Sequence, residues 1–124
     1  MTEIKMKRVY DDYDPNDGYR ILVDRLWPRG MKKESLKFDL WDKDISPSSE
    51  LRKWYHSDMK NNWARFVAAY STELEHSPAL SQLVESIKQY KYKCVTLLYA
   101  AKDKNQNHAI ILKEELEKKL SGKV

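Results

Sequence analysis

At 124 residues the chain has the length of a single domain, 1–124, able to bury roughly two-thirds of its unfolded surface, and its 41% hydrophobic residues, with four Trp and eight Tyr, supply a core. Charged residues make up 34%, yet 23 Lys and Arg against 19 Asp and Glu leave only +4, which permits phosphate contacts without the basic excess of a dedicated nucleic-acid module. The single Cys94 excludes an internal disulfide and a multi-cysteine metal site, and neither a secretory signal nor a membrane-length apolar run is present, so a cytoplasmic location without a membrane partner is expected.

In chain order, Ile4, Met6, Val9 and Tyr10 alternate with Lys5, Lys7 and Arg8 and predict an edge or half-exposed strand. Asp11 to Gly18 is an acidic turn cluster. It does not fit a calcium loop, because the sixth position is Asp17 rather than Gly and the twelfth is Val23 rather than Glu. A plain loop follows from the turn preferences of Asp, Asn, Pro and Gly.

The stretch Tyr19–Gly30 is the most informative. Ile21-Leu22-Val23 suits a strand covered on both faces. Asp24-Arg25-Leu26-Trp27-Pro28-Arg29-Gly30 then breaks it, since Pro28 cannot sit in a central strand and Gly30 permits a turn. Arg20, Arg25, Arg29 and Asp24 thus crowd the ends of a core strand. Charges are rarely fully buried unpaired, so these residues form either a structural ion-pair network or a binding site.

Met31 to Asp44 reads as irregular or briefly extended. Ser46-Pro47 predicts the cap and first turn of a helix carrying Leu51, Trp54 and Tyr55, with Glu50, Arg52 and Lys53. Asp58 is placed as the cap of a second helix, whose Trp63, Phe66, Val67, Tyr70 and Leu74 share one face; Ser77-Pro78 opens a third, with Leu80, Leu83, Val84 and Ile87. Both stripes are read as core. Cys94 to Ala101 is a buried, central strand, Lys102 to Asn107 a polar loop, and His108 to Leu120 a last helix with Ala109, Leu112, Leu116 and Leu120 on one side. Lys118 and Lys119 suit its negative end.

This order predicts a compact α/β domain: a small, mostly parallel sheet flanked by about four helices. If the Ile21 and Leu97 strands are parallel, the loops after them leave at one edge, where open α/β sheets bind ligands. Arg25 and Arg29 would then face Lys102, His108 and the last helix's N-terminus, an arrangement suited to an anion. Trp27 or Tyr99 would stack on a ring beside it. The competing structural reading pairs Asp24 with Arg25 and Asp103 with Lys102, lets Trp27-Pro28 plug the sheet edge, and leaves Asn105 or Asn107 as a helix cap. Nothing stands at metal-ligand spacing from His108, and His56 and His76 read as exposed helix ends, so no metal is expected. Cys94, entering an apolar strand, reads as a small hydrophobe rather than a nucleophile. With glycine only at 18, 30 and 122, no phosphate loop or dinucleotide fingerprint can be written, and no cofactor is expected.

Residues 17–30, Asp-Gly-Tyr-Arg-Ile-Leu-Val-Asp-Arg-Leu-Trp-Pro-Arg-Gly, resemble the signature of the small bacterial YeaO-like family, domain of unknown function 488. Ser49-Glu50-Leu51-Arg52-Lys53-Trp54 agrees, as does Val95–Asp103 leading to Asn107-His108-Ala109, so the resemblance spans nearly the whole chain. It implies a compact α/β domain and no established activity. Longer members carry Cys-His-Arg where this chain has Asn107-His108-Ala109, which marks the loop as a site there. Thiol chemistry does not carry over to a chain lacking both the thiol and the guanidinium.

Three functions are expected, in this order. The first is binding of a small anionic or phosphate-bearing ligand through Arg25, Arg29, Lys102 and His108. The second is a small enzyme with His108 as acid or base and Arg25 or Arg29 stabilising negative charge. The third is a nucleic-acid-binding module.

Overall fold

In the computed structural model, which describes residues 2–122, the strand predicted as central is the axis of the sheet. The chain forms β1 (Glu3–Arg8), β2 (Tyr19–Leu22), β3 (Leu40–Trp41), α1 (Ser49–Ser57), α2 (Met59–Glu75), α3 (Pro78–Tyr90), β4 (Cys94–Tyr99) and α4 (His108–Leu120). The sheet order is β1-β4-β2-β3 and every pairing is parallel. Ile21 lies beside Leu97, and Met6 lies beside Leu97 on the other side. The fold is therefore the α/β arrangement read from the sequence, with β1 at an edge.

Alternation along the strands sorts their side chains onto two faces. Ile4, Ile21, Val95, Leu97 and Tyr99 face a core to which all four helices contribute, including Tyr55, Phe66, Tyr70, Leu83, Ile87, Leu112 and Leu116. The opposite face carries Leu22 and Leu98, covered by irregular chain through Val9, Leu36, Trp27 and Met31 and by Trp41 of β3. That covering explains why Ile21, Leu22 and Val23 are all fully buried although helices lie on one side only.

On this second face the strand ends carry polar groups. Arg20, 3% exposed, pairs with Asp17 and donates from Nε to the Lys37 carbonyl at 2.7 Å. Lys7 adds a contact to Asp17 at 3.2 Å, and the Thr96 hydroxyl donates to the Asp17 carbonyl at 2.7 Å. Arg20 thus belongs to a closed structural network. The chain reaches it by crossing the start of β4 at Gly18, where φ is +69° and an added Cβ would lie 2.3 Å from the Cys94 carbonyl oxygen. Only glycine fits there.

Several boundaries differ from expectation. The cap of α1 is Ser48, whose hydroxyl accepts from the Leu51 N–H, while Ser46-Pro47 lies before the helix and is buried. β1 ends at Arg8 and leaves Tyr10 exposed in a turn. β4 stops at Tyr99 because the Ala100 N–H donates to Asp24 Oδ2 at 3.0 Å instead of continuing the ladder. Asp58, Ser77 and Asn107 cap α2, α3 and α4, each accepting from a first-turn N–H. Among the described residues, no helix is long and apolar enough to cross a membrane.

Candidate functional site

The loops after β2 and β4 leave the same edge of the sheet, and α1 closes over them. Between them lies a cavity of about 330 Å³, lined from the first loop by Asp24, Arg25, Leu26, Trp27, Pro28 and Arg29. Ala100, Ala101, Gln106, Asn107 and His108 line it from the second. Arg52, Tyr55 and His56, spaced three and four apart on one face of α1, line it as well, with Met59 from the start of α2.

Hydrogen bonds fix the first loop. Trp41 Nε1 donates to the Asp24 carbonyl at 2.7 Å, Trp27 Nε1 to the Met31 carbonyl at 2.6 Å, and the Tyr10 hydroxyl to the Arg29 carbonyl at 2.8 Å. Arg8, at the end of β1, donates to the carbonyls of Ala101 (3.0 Å) and Ala100 (3.3 Å) and so fixes the second loop. Asp103 Oδ1 accepts from the N–H groups of Asn105 and Gln106, which folds that loop back toward the start of α4.

At the floor, Asp24 meets His108 rather than Arg25. Its Oδ1 lies 3.3 Å from His108 Nε2, and the same nitrogen is 3.0 Å from the Val23 carbonyl. A carbonyl only accepts, so Nε2 carries the hydrogen. Burial raises the Asp24 pKa above its ordinary value, with the neighbouring His108 and the Ala100 N–H opposing the shift in part.

The walls are unevenly satisfied. Arg25 Nη2 donates to the Pro47 carbonyl at 3.4 Å. Among the described residues, three buried side-chain polar atoms have no hydrogen-bond partner in the protein: Arg25 Nε, Arg52 Nε and Asp24 Oδ1. All three residues line this one cavity.

Of the site residues read from the sequence, Arg25, Trp27, Arg29 and His108 line the cavity. Tyr99 is buried in the helical core and Lys102 is exposed; neither is in the lining. Trp27 both borders the cavity and packs edge-on against Phe38 and Trp41, so the plug of the sheet edge and the cavity wall are one side chain. Asn107 caps α4, as the structural reading had it. Sequence reasoning passed over Arg52 and His56 as site residues, although the spacing 52, 55, 56 is a legible helical stripe and Arg52 lies in a family-like motif.

A parallel α/β sheet with a basic cavity at the carboxyl ends of its strands defines a small α/β domain with a candidate ligand site at its loop edge. Residues 3–124 match the family model described as "Inactive DUF488-N3 subclade". The chain is 48% identical over 114 residues to the uncharacterized protein YeaO of Escherichia coli, covering 91% of this chain and 96% of that protein. Uncharacterized proteins of Mycobacterium bovis and Mycobacterium tuberculosis are each 38% identical over 115 residues, covering 93% of this chain and 94% of theirs. The chain belongs to the YeaO-like DUF488 family. No solved structure matches it significantly.

Proposed function

We propose that this protein binds a small anionic or phosphate-bearing ligand in the cavity at the carboxyl edge of its sheet, with Arg25, Arg52 and Arg29 as the clamp. The observation that carries this reading is the pair of buried guanidinium Nε atoms, on Arg25 and Arg52, without a protein partner. Buried polar groups are nearly always hydrogen-bonded, and a guanidinium presents its fork to a carboxylate or phosphate in two parallel bonds. The arginines line a concavity rather than a surface stripe, which favours a small ligand over a nucleic-acid strand.

The alternative of a small enzyme draws support from the Asp24–His108 contact, because an oriented imidazole beside arginines can move a proton and stabilise developing charge. The subclade's description as inactive weighs against it and favours binding. The deciding experiment is a thermal-shift and calorimetric screen of wild type and Arg52→Ala against phosphate, phosphate monoesters and small carboxylates. Anion binding lost in the variant supports the reading, and no response to any anion removes it. Turnover of a phosphoester or ester panel that disappears in His108→Ala would favour the enzyme.

A further inference from the structure

We infer that the ligand of this cavity is a flat aromatic ring bearing the acidic group, rather than a bare inorganic anion; this rests on the anion-binding reading above. The guanidinium groups and polar side chains such as Asp24, Asn107 and His108 occupy only part of the lining, which also carries an apolar and aromatic share including Trp27, Tyr55, Met59 and Phe66. An inorganic anion would contact the arginines and leave that wall unmatched. A compact volume near 330 Å³ is at the lower end of the ligand-pocket range of about 300–1,000 Å³, enough for a single ring with its acidic substituent.

Three features select a ring over an alkyl chain. The Trp27 indole is held by its bond to the Met31 carbonyl and by edge contacts to Phe38 and Trp41, so it offers a fixed aromatic wall. Tyr55 and Phe66 stack at 4.2 Å and 20°, which fixes a second aromatic pair in the same lining. Rigid aromatic walls suit a rigid aromatic guest, because neither partner loses rotamer freedom on contact. Met59, 40% exposed at the start of α2, supplies a thioether, a group that favours ring edges.

The test is calorimetric titration of the full chain with inorganic phosphate, phenyl phosphate, hexyl phosphate and phenol. Phenyl phosphate is expected to bind on the order of thirty-fold tighter than phosphate, and tighter than hexyl phosphate, which has the same number of carbons. Met59→Ala, at an exposed position that leaves folding intact, should reduce the phenyl phosphate advantage several-fold while phosphate affinity stays unchanged. Equal affinity for phosphate and phenyl phosphate, or for hexyl and phenyl phosphate, would overturn the ring inference while leaving anion binding standing. Phenol binding as tightly as phenyl phosphate would overturn the anion reading instead, and absence of binding by all four would overturn both.

Discussion

The Asp17–Arg20 pair on one face of the sheet and the carboxyl-edge cavity, where Asp24 meets His108 and Arg25 and Arg52 line the wall, put carboxylate and guanidinium groups in two different conditions. On the helix-free face, the Asp17 carboxylate meets Arg20 and Lys7, and Arg20 Nε finds the Lys37 carbonyl. At the carboxyl edge, Asp24 Oδ1 has only the 3.3 Å contact to His108 Nε2, without a formed hydrogen bond, and two arginine Nε atoms have no protein partner. The pKa directions follow. Burial pushes Asp17 up, but the charge and hydrogen bond of Lys7, the Asp14 backbone N–H and Arg20 outweigh it, for a net lowering. For Asp24, burial prevails and the pKa rises. A satisfied cluster is a structural device, whereas on the proposed reading the unsatisfied one at the loop edge is where a ligand would complete the set.

The comparison is broken most forcefully from the satisfied side. Arg20→Ala leaves the Asp17 carboxylate buried short of its partner and should cost about 3–5 kcal/mol, read as a large fall in the denaturation midpoint. Gly18→Ala forces a Cβ against the Cys94 carbonyl at positive φ and should cost on the order of 1–3 kcal/mol or more by the same measurement. Arg52→Ala, on the unsatisfied side, should change stability by less than about 1 kcal/mol while anion affinity falls at least about tenfold. If Arg52→Ala melts as early as Arg20→Ala, the two clusters do not differ and the edge is structural.

The smallest effect sharpens the contrast through pH. Asp24 has a raised folded-state pKa, so the stability linked to it is full below the unfolded value near 3.8 and is lost as pH rises through the folded value. Asp17 has a lowered one, so its contribution is full above its unfolded value and is lost as pH falls through the folded value. Chemical denaturation from pH 3 to 7 should therefore show Asp24→Asn flattening a loss of stability on the rising side, and Asp17→Asn removing a loss on the falling side. Identical pH profiles for the two variants would remove the distinction.

What the sequence made legible was local. The stripes of α2 and α3, the Ser77-Pro78 start, and α4 from His108 to Leu120 follow from periodicity and capping, which neighbouring residues determine. The parallel pairing of β2 and β4 came from counting elements, and it brought Arg25, Arg29 and His108 to one cavity. The Asp17–Arg20 network was hidden because it depends on the chain crossing over Cys94 at Gly18, a long-range packing event. Arg52 was overlooked because a charge on a short helix ordinarily faces water. Its partners in the stripe, Tyr55 and His56, acquire meaning only once the loops lie opposite. Ser48, not Ser46, caps α1 because Pro47 is drawn into the interior, which no local propensity records.

The position of β4 has a consequence for how the chain is made. Strands β1 and β2 do not bond to each other; each pairs with β4, which leaves the ribosome after both of them and after three helices. Until Cys94–Tyr99 has been synthesised, β1 therefore has no strand partner and β2 has only β3, while the contiguous segment α1–α2–α3 can already gather. Closure of the sheet is a late insertion of one strand between two waiting ones, a non-local step of the kind that slows folding. Any nascent polypeptide stalled before Cys94 exposes the edges of β1 and β2 together, and such intermediates are natural clients for chaperones.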